Sequence, residues 1–425
     1  MIDIKLIREN PELVKEGIKN KNDKSDIDEI LALDKQRREK LQLVEELKAK
    51  RNTASQQIGK LKKAGESTDA IMAEMKQLSD EIKKLDEEVR EVNEKYQTKI
   101  SWVPNLPHKT TPVGKSAEDN VEVRKWQPAD FNFEDEFKKL DHIELGKKLG
   151  ILDFERGAKI SGSGFPVYVG KGATLERALI NFMLDYHTEK HGYKEIFPPF
   201  LVNSDSMFGT GQLPKMQDDM YHAEKDELYL VPTAEVPITN LHRNEILKEE
   251  QIPINYVAYS ACFRREAGSY GKESKGFLRV HQFNKVEMVK MVEPETSYDE
   301  LEKIVSDAED ILKELKIPYR VLLLCSGDLS FAAAKCYDIE TWSPAENKWL
   351  EASSCSNFED FQARRANIKF RKKDEKKPVF VHTLNGSGLA TSRLMVSILE
   401  NYQTPEGKII VPKALQKYTG FNIIG

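Results

Sequence analysis

A chain of 425 residues is too long for one ordinary core and implies two or three domains, one of them large enough for an enzyme. Charged residues make up 32% of it, yet the formal net charge is only −5; a general polyanion binder is excluded, and any nucleic-acid contact must be local. The four cysteines, Cys262, Cys325, Cys336 and Cys355, show neither C-x-x-C nor Cys/His spacing, which argues against a disulfide framework and a structural zinc site and fits a reducing cytosol.

In chain order, the N-terminal "MIDIKLIRENPELVK" alternates charged and apolar residues without a signal-like apolar stretch, and no apolar run approaches ~18 residues. Neither secretion nor a membrane span is expected. From about 28 to 64 and from 68 to 100 the sequence lacks proline and is rich in Lys, Glu, Leu and Gln, which predicts two long helices joined by the Gly-containing turn "KKAGESTDA". Ile71, Met75, Leu78, Ile82, Leu85, Val89, Val92 and Tyr96 alternate steps of four and three, the seam of a coiled coil. The first helix keeps the period at Val44, Leu47, Ala54, Ile58 and Leu61, with Arg37, Lys40 and Arg51 interrupting. An antiparallel hairpin about 50 Å long, projecting as an arm, is expected at about 1.5 Å per residue.

Basic residues crowd the first helix, among them Arg37, Arg38, Lys48, Lys50, Arg51 and Lys60, while the second is acidic. Two readings stand: a solvated coiled-coil face, or a stripe of cations that tracks a phosphate backbone.

"SWVPNLPHKTTPVGK" carries Pro104, Pro107 and Pro112, cannot continue a helix, and marks a domain boundary near 110. Beyond it, short β-like runs such as "FPVYVG", "ELYLVPT", "VAYSACF", "FLRVHQFNKVEMVKMV" and "YRVLLL" alternate with few helices. They predict an α+β domain with a mainly antiparallel sheet, and the absence of G-x-G-x-x-G and of the P-loop pattern counts against a nucleotide-binding α/β fold.

"VAYSACF" and "FLRVHQFNKVEMV" flank a polar Gly-rich segment from about 267 to 276, as in a hairpin with a long loop. On the second run Arg279, Phe283 and Glu287 are four apart, so a single strand would set a cation, an aromatic plate and an acid on one face over about 26 Å. Such a row suits an aminoacyl nucleotide: arginine for phosphate, phenylalanine for a purine, a carboxylate for an ammonium or hydroxyl. An amphipathic strand with Phe283 in a core is the alternative.

The hairpin with "FRRE" at its entry resembles motif 2 of the class II aminoacyl-tRNA synthetases, at about 257–290. "LERALINFMLDYHTEKHGYKEIFPPFLV", at about 174–202, resembles motif 1, a long helix and a strand ending at Pro198 and Pro199 in a dimer interface. "NGSGLATSRLMVSILENYQ", at about 385–402, resembles motif 3, a glycine-containing turn with Arg393 near a helix start. Together with "VPTAEVPITN", "HQFNKVE", "EASSCSNFEDFQARR" and the coiled-coil arm, these segments are similar to the bacterial-type seryl-tRNA synthetases over nearly the whole chain.

The resemblance implies a tRNA-binding domain at 1–110, with its arm at about 28–100, and a class II catalytic domain at 111–425. It implies ATP-binding roles for Arg264, Arg265, Glu266, Arg279, Phe283, Glu351, Ala352, Ser353, Ser354 and Arg393, of which Arg264 and Arg393 are the catalytic arginines. Thr233, Ala234, Glu235, Arg264, Glu287, Asn385 and Ser387 would bind L-serine, without settling which carboxylate takes the ammonium. Glu351 and Ser354 would hold Mg²⁺, a hard cation suited to oxygen ligands. Lys272 and Lys275 are either pyrophosphate or tRNA contacts or solvated loop residues, and the histidines, His281 included, read as structural.

The implied enzyme is a cytoplasmic homodimer that activates serine with Mg²⁺·ATP and charges tRNA(Ser), with tRNA(Sec) a second acceptor. Two rivals fit less well. An amino acid:carrier-protein ligase with the same catalytic domain would lack the arm, and a catalytically dead paralogue would lose ATP or metal residues that are all present here.

Overall fold

The computed structural model describes residues 1–134, 137–267 and 275–425. It forms two compact units, one of residues 2–19 and 23–104, the other of Met1, 20–22 and 105–425.

The first unit is helical. Helix α1 (Ile4–Glu9) starts at Asp3, whose side chain accepts from Lys5 N, and α2 (Pro11–Asn20) starts with a proline, which fits a first turn because its missing N–H has no partner to lose. Neither helix was anticipated. Helix α3 (Ile27–Ala64) is capped by Asp26 and ends at Gly65, whose φ of 75° is the left-handed conformation that glycine adopts at least cost. Helix α4 (Asp69–Ser101) returns antiparallel, as the cross-pairs Glu29–Lys99, Lys40–Glu88 and Lys48–Asp86 require.

The expected seam is the buried or half-buried stripe of α4, and Val44, Leu47 and Ala54 face it from α3. Arg37, Lys40 and Arg51 do not break the stripe; they are half-buried in its period, their long stems lying along it. The head of Arg37 stands 4.6 Å over the Tyr96 ring. At the base of the hairpin, Asp34 is fully buried and accepts from Arg8 at 2.8 Å, from Arg38 at 3.0 Å and from Arg37 at 3.3 Å. Burial raises its pKa, but the three guanidiniums outweigh burial and hold the carboxyl below its usual value. Arg37, Arg38 and Lys48 are therefore engaged within the unit, whereas Lys50 and Lys60 are exposed on α3.

The second unit is built on an eight-stranded sheet. In chain order its strands are β1 (Val121–Trp126), β2 (Lys194–Glu195), β3 (Ile254–Phe263), β4 (Gln282–Val292), β5 (Tyr319–Leu323), β6 (Lys335–Ser343), β7 (Lys348–Asn357) and β8 (His382–Ala390). They lie in the order β1-β5-β6-β7-β8-β4-β3-β2, and every pairing is antiparallel except the edge pair of β2 and β3. One face packs against helices α5 (Lys171–Glu189), α7 (Ser297–Glu314) and α9 (Thr391–Asn401), burying Leu179, Met183, Ile304, Ile311, Met395 and Leu399 against Val286, Met288, Ile339 and Leu384. On the other face α6 (Glu235–Asn240) sets Ala234 and Ile238 on Ala258 and Val289, and α8 (Phe361–Ala366) stands nearby.

The "NGSG" segment is strand, not turn. Gly386 and Gly388 lie inside β8, and a Cβ at Gly386 would come 2.2 Å from Ile304 Cγ2, at Gly388 2.7 Å from His187 Nε2. Close approach of the covering helices, rather than backbone freedom, demands these glycines. Glu176 of α5 accepts from Asn284 Nδ2 of β4 at 2.8 Å and from Thr391 Oγ1 of α9 at 2.5 Å, so one buried carboxylate joins the three motif segments. Burial, only partly offset by these donors, pushes it up to about 7.

Candidate active site

The sheet face opposite α7 carries the polar residues. On β4, Phe283, Lys285 and Glu287 alternate onto it; on β8, Thr383, Asn385 and Ser387 do, with Glu287 paired to Ser387. Arg279 is not part of that row. The strand begins at Gln282 because Phe277 turns into the core, where its N–H donates to buried His142 Nε2, and Arg279 lies in a bend. There it pairs with Glu266 at 2.9 Å.

Arg264, just past β3, donates through Nε to Pro232 O at 3.3 Å and stands 5.2 Å over the Phe283 ring. Arg265 is exposed, over the Tyr221 ring at 5.2 Å. His281 donates through Nδ1 to Arg264 O, 2.9 Å away, and stacks on Phe165. It has the structural role expected. Lys275 is exposed; Lys272 and residues 268–274 lie outside the described residues.

Around Glu287, which is fully buried, Lys285 Nζ lies at 2.5 Å, Asn385 Nδ2 donates at 2.8 Å and Ser387 Oγ at 3.4 Å. The same Asn385 amide donates to Glu235 Oε2 at 3.0 Å, so it bridges two buried carboxylates. Glu235, first residue of α6, donates its backbone N–H to Thr233 Oγ1 at 3.2 Å and accepts from Gln362 at 2.6 Å. Burial, then the charge of Glu287, raises its carboxyl to about 7. Ala234, between them, is packed with no exposure.

A bulge shapes the second half of the site. Ile339 pairs with Ser353 and Glu340 with Glu351, leaving Ala352 as the extra residue. Glu351 and Ser354, three apart, thereby fall on the same face, opposite Glu340 and Asp338. Ala352 and Ser353 are buried, the Ser353 hydroxyl donating to Ser387 O at 2.7 Å, so Glu351 and Ser354 are the side chains this stretch presents. Asp338 accepts from Ser354 and faces Glu351; burial, then the Glu351 charge, pushes it well above the usual carboxylate range. Arg393, in the first turn of α9, reaches Glu351 Oε2 at 3.1 Å.

Sequence reasoning missed Lys285, Asp338 and Gln362. Lys285 had a signal, since it shares the period-two face of Phe283 and Glu287; Asp338 and Gln362 come from segments where only the folded register brings them in.

The model of the tRNA synthetase class II core domain (G, H, P, S and T) matches residues 217–402, and that of the seryl-tRNA synthetase N-terminal domain matches residues 1–107. A serine–tRNA ligase of Chloroherpeton thalassium is 63% identical over 430 residues, covering 100% of both chains. The chain belongs to the seryl-tRNA synthetases. A serine–tRNA ligase of Chlorobium phaeobacteroides is 60% identical to this synthetase over 428 residues, again covering 100% of both. The crystal structure of seryl-tRNA synthetase from Pyrococcus horikoshii, complexed with ATP, superposes with a TM-score of 0.93 at 43% identity, covering 100% of this chain and 99% of that one. This synthetase is thus an ATP-using serine–tRNA ligase of class II. Among its described residues no helix is long and apolar enough to cross a membrane.

Proposed function

We propose that the site activates L-serine as seryl-adenylate and passes the seryl group to the terminal adenosine of tRNA(Ser), with tRNA(Sec) a second acceptor, in a cytoplasmic homodimer. The buried Glu235–Asn385–Glu287 bridge beside Arg264 carries this reading. A carboxylate pair that small and enclosed suits an amino acid with an ammonium and one short hydroxylated side chain. Alanine would forfeit the hydroxyl's hydrogen bonds to Glu287 and Ser387 in an enclosed pocket, which disfavours it against serine.

Phe283 stacks on adenine, Glu266 and Arg279 lie at the adenine end, and Arg264 with Arg265 receives the α-phosphate side. The serine carboxylate attacks the α-phosphorus and pyrophosphate leaves. Charge grows on the α-phosphate oxygens as this happens, so Arg264 contributes most in the transition state. Arg393 holds the departing phosphates. No protein nucleophile is required, and positioning supplies most of the rate.

The donor set of Glu351, Ser354 and Asp338 is all oxygen and on one face, which fits Mg²⁺. When bound with ATP, the cation would neutralise phosphate charge, with Glu351 and Ser354 holding it. On α3, the exposed Lys50 and Lys60, with Arg51 at the seam and Arg37, Arg38 and Lys48 adding positive field, form the phosphate-tracking stripe. Phe197, 76% exposed after β2, is the apolar surface that a second copy would cover.

ATP–pyrophosphate exchange with each amino acid, Mg²⁺ present and tRNA absent, tests the reading. Exchange with serine alone is expected; equal exchange with alanine would overturn the assignment of the pocket.

A further inference from the structure

Gln362 lies in "NFEDFQARR", a segment to which the chemistry above gives no role. It is 1% exposed, and its amide is fully used: Nε2 donates to Thr210 O at 3.1 Å and to Glu235 Oε1 at 2.6 Å, while Oε1 accepts from Thr383 Oγ1 at 2.8 Å. The chemistry of the partners sets its orientation. Exchanging the oxygen and nitrogen would set the amide oxygen against a carbonyl and a carboxylate, neither of which can donate. Thr383 stands on β8 two residues before Asn385 and four before Ser387, and so on their face of the sheet.

The charge count in the pocket separates the two carboxylates. Lys285 lies 2.5 Å from Glu287 and serves it, whereas Glu235 has no ion pair among the described residues and is held by two neutral amides, Gln362 on Oε1 and Asn385 on Oε2. With Lys285 bonded to Glu287 and Arg264 Nε donating to Pro232 O, Glu235 is the acid of the two that neutral amides alone hold, which suits one substrate ammonium.

We infer that Gln362, oriented by Thr383, is a positioning residue for serine that fixes Glu235 as the carboxylate that receives the substrate's ammonium. The inference rests on the proposed placement of serine beside Glu235. Burial and the charge of Glu287 drive Glu235 toward its neutral form, and of the influences acting the other way the Gln362 N–H is the largest, ahead of Lys285 and Arg264. Without that donor Glu235 takes up a proton at higher pH and turns freely about its last torsion.

The test is pyrophosphate exchange by the full-length enzyme carrying Gln362→Met, which keeps length and loses the donor. The serine KM should rise roughly 10-fold or more with the ATP KM unchanged. The acid limb of kcat/KM for serine should move up by about one pH unit. Thr383→Val, which frees the amide to turn, should shift both in the same direction and serves if the first variant does not fold. An unmoved acid limb, whether the serine KM is unchanged or both substrates lose affinity together, overturns the inference and leaves Gln362 a packing residue. Glu235→Gln separates the two levels. An unchanged serine KM in that variant overturns the placement of serine itself, whereas a raised one alongside a normal Gln362→Met overturns only the role of Gln362.

Discussion

Arg393 Nη1 lies 3.1 Å from Glu351 Oε2 and also donates to the Glu351 carbonyl at 2.8 Å, so a single guanidinium joins α9 to the bulged stretch of β7. Both side chains keep solvent access, at 31% and 47%, which leaves the pair free to exchange partners with a triphosphate and its cation. Glu351→Gln should raise the Mg²⁺ concentration for half-maximal pyrophosphate exchange by about 10-fold and leave the serine KM nearly unchanged. A wild-type Mg²⁺ titration curve would remove Glu351 from the cation site.

Glu235 gives the reaction a pH signature. Its carboxyl is raised to about 7, first by burial and then by Glu287, and only the ionised form attracts an ammonium. kcat/KM for serine should therefore fall as pH drops below about 7 and level off above it. Glu235→Gln should abolish that limb while lowering the plateau; a limb that persists in this variant belongs to another group.

Glu176 should act on stability rather than turnover. Its folded-state carboxyl is raised to about 7 against an ordinary value of 4.5, so the folded chain binds the proton more tightly than the unfolded one. That contribution is complete below the ordinary value and is lost as pH rises through about 7. In Glu176→Gln, the decline in melting temperature between those two limits should be shallower than in the wild type; parallel curves would mean that Glu176 titrates normally.

Removing Asp34 leaves Arg8, Arg37 and Arg38 facing one another with no anion between them. Asp34→Ala should destabilise the helical hairpin by about 1–2 kcal/mol, since the guanidiniums it leaves behind keep solvent access. Limited proteolysis should then cut residues 23–104 faster, tRNA charging should drop, and pyrophosphate exchange should persist. Loss of exchange as well would mean that the two units are not separable in function.

Much of this was readable in advance where periodicity or chemistry is local. The α4 seam could be read because each of its residues needs only its neighbours three and four away, and Phe283 and Glu287 because alternation alone gives them one face. Arg279 could not be placed: Phe277, an apolar residue that reads equally well as strand, turns into the core and ends the row. Gly386 and Gly388 misled for a related reason, since glycine marks both turns and close approaches and only the packing of α7 and α5 decides between them. Gln362 needed the tertiary fold itself, because its partners Thr210, Glu235 and Thr383 come from three other segments of the chain.

The extra residue at Ala352, with its counterpart at Gly388 between the pairs Val286–Leu389 and Glu287–Ser387, makes the site depend on counting as much as on identity. Replacing Ala352 by another small residue would leave the ladder as it is. Straightening the strand with Ala352 still in it would set Glu351 and Ser354, three apart, on opposite faces, with every catalytic side chain still present in the chain. A homologue that lacks the Ala352 position would keep Glu351 and Ser354 on one face without a bulge, because two residues apart is the strand's own period.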